Sequence, residues 1–210
     1  MPDQVGPYRL FQRLGTGGMG TAYRAEDTRD GRIVAVKILH PHLVDDEEAV
    51  LRLQREAQIA RRLDHPNIAR VLDAGDDAGQ HYLVMEYVDG ETLQDLLNRE
   101  LRLPESETHR LILAIAAALQ AANAQGVIHR DIKPGNILLA RDGRVLVSDF
   151  GVARQADYST MTARGGFVGT PPYAAPEVFG GAADTRSDLY ALGLVAIQAL
   201  TGVAPAASAG

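Results

Sequence analysis

The period of the apolar residues changes near residue 90. Before it, "YRLFQRLG", "TAYRAED", "RIVAVKIL", "RVLDAG" and "HYLVMEYV" read as short strands bounded by turn residues, and Asp30-Gly31 turns one into the next as a hairpin. One charged amphipathic helix interrupts them at residues 45–64, stopped at "HPNI" because Pro66 disfavours helix at the residue before it. After residue 90, "ETLQDLLNRE", "PESETHRLILAIAAALQAANAQG" and residues 186–201 carry helical patterns. Gly126 is the expected C′ residue of the long helix, whose middle is apolar nearly all round and therefore expected to be buried on most sides. "ILLARDGRVLVSDFG" predicts a small hairpin about Asp142-Gly143, and residues 152–172 read as loop. The expected class is α+β: an N-terminal antiparallel sheet plus one helix over 1–89, then a helical lobe over 90–210, divided near Asp89-Gly90.

Composition narrows the function classes. A chain of 210 residues accommodates one large domain or two small lobes sharing a cleft. A formal net charge of −6 without long Lys/Arg runs argues against nucleic acid or an anionic membrane as the main partner. With no Cys there is no disulfide framework and no thiolate chemistry, which fits a reducing cytoplasm. The start, "MPDQVGPYRL", lacks the basic and apolar regions of a signal peptide, and the longest apolar run, Leu111 to Leu119, is too short to span a bilayer. The expectation is a cytoplasmic protein with no membrane segment in this chain.

Three constellations carry chemistry. "GTGGMG" places Gly15, Gly17 and Gly20 where backbone N–H groups can approach phosphates closely; a hairpin follows instead of a helix, which disfavours a dinucleotide fold and leaves a plain glycine-rich hairpin as the alternative. Lys37 sits in the apolar strand "VAVKIL", and Glu56 falls within the apolar stripe of Leu53, Ala60 and Leu63. An inward carboxylate needs a partner, and Lys37 is one candidate; a surface pair of Arg52 with Glu56 is the other, and spacing alone leaves both open. The third is "HRDIKPGN" with the Asp-Phe-Gly turn that follows it. Asp131 can accept a proton, Asn136 and Asp149 offer oxygen ligands to a hard cation, and Lys133 offers a point charge to a phosphoryl group. Positioning, metal and positive charge are what phosphoryl transfer needs.

In order along the chain stand "GTGGMGTAYRA", "VAVK", Glu56, "HPNI", "LVMEYVDG", "HRDIKPGN", "DFG", "GTPPYAAPE" and "SDLYALG". With these motifs the chain resembles the eukaryotic-like Ser/Thr protein kinases of bacteria, from about Tyr8 to about Gly202. The resemblance implies a bilobal protein-kinase-like fold and transfer of the ATP γ-phosphoryl group to Ser/Thr hydroxyls of proteins in signalling, with Mg²⁺ or alternatively Mn²⁺. It implies that Gly15, Gly17 and Gly20 cover the phosphates and that Lys37 binds them and pairs with Glu56. Ala22, Ala35, gatekeeper Met85 and the backbone of Glu86 and Val88 would hold the nucleotide base. Asp131 would accept the hydroxyl proton, Lys133 contact the γ-phosphate, and Asn136 and Asp149 hold the metal. Thr170 would line the substrate pocket, and Asp188 would brace the catalytic loop. Arg130 and Arg154 would clamp a phosphate placed on Ser159, Thr160 or Thr162.

Two departures accompany the resemblance. Ala22 stands where the family usually has Val, and the helix carrying Asp188 is the last strong pattern. The expectation is therefore a truncated catalytic domain, its helical lobe incomplete, with Glu177 lacking the family's Arg partner and a dimer or other partner covering the apolar helix 188–201. The alternatives are a weakly active or scaffolding ATP-binding module, and a small-molecule phosphotransferase; "GTPPYAAPE" favours a protein substrate over the latter.

Overall fold

The structure is a computed structural model and describes residues 3–18, 20–40, 51, 57–58, 60–150, 172–180 and 183–206. Two compact units form, Met1–Asp64 with Ala69–Val88, and His65–Ile68 with Asp89–Gly210.

The first unit is built on a six-stranded antiparallel sheet. Its strands are β1 (Gln4–Val5), β2 (Tyr8–Thr16), β3 (Gly20–Asp27), β4 (Ile33–Leu39), β5 (Val71–Asp77) and β6 (Gln80–Glu86), in the order β1-β2-β3-β4-β6-β5. The expected hairpin joins β3 to β4, with Gly31 at φ +76° and its N–H donating to the Asp27 carbonyl (2.8 Å). The two-residue alternation of β4 divides the core between the sheet faces. Val34, Val36 and Ile38 pack with Val5, Tyr8, Ala25, Tyr82 and Val84 on one face. Leu39 and Leu83 pack with Ala57 on the other. Ala57 belongs to the expected helix, and its carbonyl accepts the Arg61 N–H at 3.0 Å. Each fully buried aliphatic side chain here contributes about 1.5–3 kcal/mol relative to exposure.

A polar network lies beside the β3–β4 turn. Asp27 is buried and accepts three hydrogen bonds from Arg29, two of them from the guanidinium at 2.7 and 2.8 Å. Arg29 Nη2 also donates to the Tyr8 hydroxyl (2.7 Å), which donates to Asp73 (2.9 Å). Burial raises the Tyr8 phenol above its ordinary value, whereas the hydrogen-bonded Arg29 guanidinium holds the Asp27 carboxyl below its own. As pH falls, the unfolded chain therefore takes up this proton first. The stability that Asp27 contributes is complete above about pH 4 and is lost as pH falls below it, through the depressed folded value. Urea unfolding across this range is expected to show a shallower acid decline for Asp27→Asn than for wild type. An unchanged decline would remove Asp27 from the account.

The second unit holds a three-stranded antiparallel sheet of β7 (Gly90–Thr92), β8 (Ile137–Ala140) and β9 (Val145–Val147), with helices α1 (Leu93–Glu100), α2 (Glu105–Ala124) and α3 (Thr185–Thr201). Glu91 and Thr92, expected as helix, instead pair with Leu139 and Leu138 in β7. The reason is a capping box: Thr92 Oγ1 accepts the Asp95 N–H (3.1 Å) while Asp95 accepts the Thr92 N–H (3.2 Å), so the helix starts after Thr92. Gly126 ends α2 as expected, at φ +72°, and Val127 N–H donates back to the Ala122 carbonyl (3.0 Å). Leu111, Ile115, Ala118, Leu119 and Ala122 of α2 are buried, and Leu113 is the exposed exception in its apolar middle. The "HPNI" segment is more than a helix stop. Asn67 Nδ2 donates to the Val145 carbonyl and the Asn67 carbonyl accepts from Val147, both at 2.8 Å, which fastens residues 65–68 to β9. Helix α3 begins at the Asp184 cap and ends at Gly202 (φ +75°), with Leu189, Tyr190, Ile197 and Leu200 exposed. No helix among the described residues is long and apolar enough to cross a membrane.

Candidate active site

In the first unit the sheet register gathers the expected nucleotide-binding residues. Gly15 faces Ala22, Ala22 faces Lys37, Lys37 faces Leu83, and Ala35 faces Met85. Partners directly opposite in an antiparallel pair share a face, as do alternate residues of one strand. Gly15, Ala22, Ala35, Lys37 and Met85 therefore lie on one face of the sheet, opposite the cluster of Val34, Val36 and Ile38. Lys37 is half-buried there. Glu86 closes β6 with its N–H donated to the Arg70 carbonyl (2.9 Å), and Val88 follows the strand end. At Gly20 an added Cβ would overlap the Ile38 carbonyl oxygen, so only glycine lets β3 begin this close to β4. At Gly15 a Cβ would meet nothing within 4 Å, which leaves open space beside the backbone.

In the second unit the loop before β8 is over-determined by hydrogen bonds. Asp188, buried in α3, accepts the His129 N–H at Oδ2 (2.8 Å) and the Arg130 N–H at Oδ1 (2.7 Å). His129 is fully buried; its Nδ1 accepts the Asp131 N–H (3.2 Å), so Nε2 carries the ring proton and donates it to the Ser148 carbonyl (2.9 Å). Phe150 stacks at a tilt on the same ring, 4.6 Å between centroids. Arg130 lies at φ +65° and Asp149 at φ +56°, left-handed values that are uncommon for side-chain-bearing residues. Arg130 Nε is buried with no hydrogen-bond partner among the described residues.

The polar groups converge on Asp131. Its Oδ2 accepts from Lys133 Nζ (2.9 Å) and from Asn136 Nδ2 (3.1 Å), while its carbonyl accepts from Asn136 Nδ2 (2.8 Å). Asn136 in turn is buried in a short 3₁₀ turn, Pro134–Asn136, and its carbonyl accepts the Ser148 N–H (2.9 Å). With Nδ2 committed to Asp131, Oδ1 is the amide atom suited to a hard cation, and the Asp149 carboxylate is one residue beyond Ser148. Such a donor set, one carboxylate and one amide oxygen, fits a Mg²⁺-like ion that keeps waters and substrate oxygens as its other ligands. No cluster of three or more His, Cys, Asp or Glu suited to a metal occurs among the described residues.

Glu56, Arg154, Ser159, Thr160, Thr162 and Thr170 lie outside the described residues. Two contacts escaped the sequence reading. Ser187 Oγ donates to Glu177 Oε1 (2.9 Å), and the Tyr173 hydroxyl donates to Gln198, a buried amide in α3. The one polar letter in the apolar run "LVAIQAL" was the signal for Gln198.

Residues 8–209 match the protein kinase domain. The chain belongs to this family. It is 44% identical over 204 residues to the serine/threonine-protein kinase PknD of Mycobacterium tuberculosis, covering 97% of this chain and 31% of that protein. It is 40% identical over 200 residues to a probable serine/threonine-protein kinase PknB of Lactococcus lactis, covering 94% of this chain and 32% of that one. It thus spans about a third of the length of these curated relatives. Among solved structures, the kinase domain of M. tuberculosis PknI superimposes with a TM-score of 0.80 at 34% identity, over 98% of this chain and 78% of that one. The kinase fold accounts for the sheet-bearing first unit and the helical second unit, and family membership implies ATP and a divalent metal.

Proposed function

We propose that the chain is a bacterial Ser/Thr protein kinase catalytic region that transfers the ATP γ-phosphoryl group to protein hydroxyls in the cytoplasm. The observation that carries this reading is Asp131, whose carboxylate is held by Lys133 and Asn136 on a loop pinned to buried Asp188. Residues 1–89 are assigned to nucleotide binding and 90–210 to catalysis. Gly15, Gly17, Gly20 and Lys37 hold the phosphates. Ala22, Ala35, Met85 and the backbone of Glu86 and Val88 hold the base, and Glu56 orients Lys37. The hydroxyl oxygen of the acceptor bonds to the γ-phosphorus as the bond to the ADP oxygen breaks, and the hydroxyl proton passes to Asp131. Lys133 faces the charge that develops on the transferred group. Asn136 and Asp149 hold Mg²⁺, which when bound neutralises phosphate charge. Thr170 supports the acceptor beside Asp131. The buried Arg130 Nε supports regulation by a phosphate on Ser159, Thr160 or Thr162, read by Arg130 with Arg154.

Incubation with ATP, Mg²⁺ and a generic protein acceptor tests the reading. Lys37→Met and Asp149→Asn are each expected to lower kcat/KM for ATP by about 10²-fold. Wild-type turnover in both variants would overturn it. Mass spectrometry of the same active preparation tests the regulatory part, which fails if no phosphate is found between Gly151 and Gly169.

A further inference from the structure

The glycine-rich turn between β2 and β3 is tied to the sheet by a side chain that the function above leaves unused. His40 follows the last residue of β4, and its Nε2 lies 2.9 Å from the Gly17 carbonyl oxygen. A carbonyl oxygen only accepts, so Nε2 carries the proton and donates. The turn is closed on itself as well. Gly17 N–H donates to the Gly20 carbonyl (2.9 Å), and the Thr16 and Thr21 hydroxyls lie 3.4 Å apart at its base. At its far end Gly20 is pressed on the Ile38 carbonyl.

The bond from His40 fixes more than one oxygen. In a trans peptide the carbonyl of one residue and the N–H of the next share a plane and point in opposite directions. Drawing the Gly17 carbonyl toward His40 therefore turns the Gly18 N–H away from it. A run of glycines otherwise samples many orientations of these amides, and ordering them on binding weakens affinity. Backbone N–H groups aimed in advance form an anion site.

We infer that His40 is a positioning residue for the ATP triphosphate: its hydrogen bond to Gly17 orients the Gly17–Gly18 peptide so that the Gly18 N–H is presented to a phosphate oxygen. This rests on the nucleotide-binding role proposed for the glycine-rich turn. It distinguishes the phosphates from the base, because the Gly17–Gly18 peptide is assigned no part in holding adenosine.

Calorimetric titration of the full chain with ATP–Mg²⁺ and, separately, with adenosine tests it. Loss of one partly exposed hydrogen bond is expected to weaken ATP binding of His40→Ala by about three- to tenfold. Adenosine binding should stay within about twofold of wild type. His40→Gln, whose amide nitrogen can donate to the same carbonyl, should recover most of the ATP affinity. His40→Phe, which keeps the ring but has no donor, should not, and it replaces the Ala variant if that fails to fold. Equal ATP affinity in wild type and the donor-less variants overturns the inference while leaving the kinase reading intact. Equal loss for ATP and adenosine also overturns it, because that result reports general damage. A wild type that binds no ATP overturns the kinase reading itself.

Discussion

Asp188→Ala is expected to lower the unfolding free energy by about 2–4 kcal/mol, the largest stability loss of any single polar substitution proposed for this chain. Asp188 is buried and accepts the backbone N–H groups of His129 and Arg130 at 2.8 and 2.7 Å. The His129 donor is buried and the Arg130 donor part-buried, and an orphaned buried donor costs about 1–3 kcal/mol. Relief of the carboxylate's own desolvation offsets part of the sum. Arg130 would also lose the acceptor that holds it at φ +65°, so the loop should relax and carry Asp131 with it. Asp188→Asn keeps one acceptor oxygen and should fall between Ala and wild type. Urea unfolding reads the effect, and an Asp188→Ala protein as stable as wild type would show that the two contacts contribute nothing net.

How much of this was legible beforehand follows from the range of each interaction. The strands of the first unit could be read because their alternation is local. Val34, Val36 and Ile38 face one core and Ala35 and Lys37 the other side, as a period of two requires. The candidate loop could be read because Asp131, Lys133 and Asn136 meet within one turn of chain. Glu91 and Thr92 could not, because their strand pairing is with Leu139 and Leu138, far along the sequence, and helical letters surround them. The attachment of Asn67 to Val145 and Val147 and the bond from Tyr173 to Gln198 have the same cause. His40 carried no signal at all, since a single His after an apolar strand resembles any solvated strand end.

Asp131→Asn is expected to lower kcat for phosphoryl transfer by about 10²–10⁴-fold. Asn matches Asp in shape, so the loop held by His129, Asn136 and Asp188 should persist. The change is chemical. Oδ2 of Asp131 accepts from both Lys133 Nζ and Asn136 Nδ2, which fixes the carboxylate's orientation as a proton acceptor. An amide has no basic oxygen of comparable strength, and its NH₂ group would face the Lys133 ammonium if oriented wrongly. ATP affinity, assigned mainly to the glycine-rich turn and Lys37, should change by less than about threefold. The most direct measurement is a rapid-quench assay of label transfer from γ-labelled ATP to a protein acceptor, with the labelled amino acids identified and ATP affinity measured on the same preparations. The expected result is phosphoserine or phosphothreonine from wild type, and an Asp131→Asn protein that binds ATP yet transfers at least about 10²-fold more slowly. Transfer at the wild-type rate by Asp131→Asn, or label from wild type that reaches only small-molecule hydroxyls, would contradict the account.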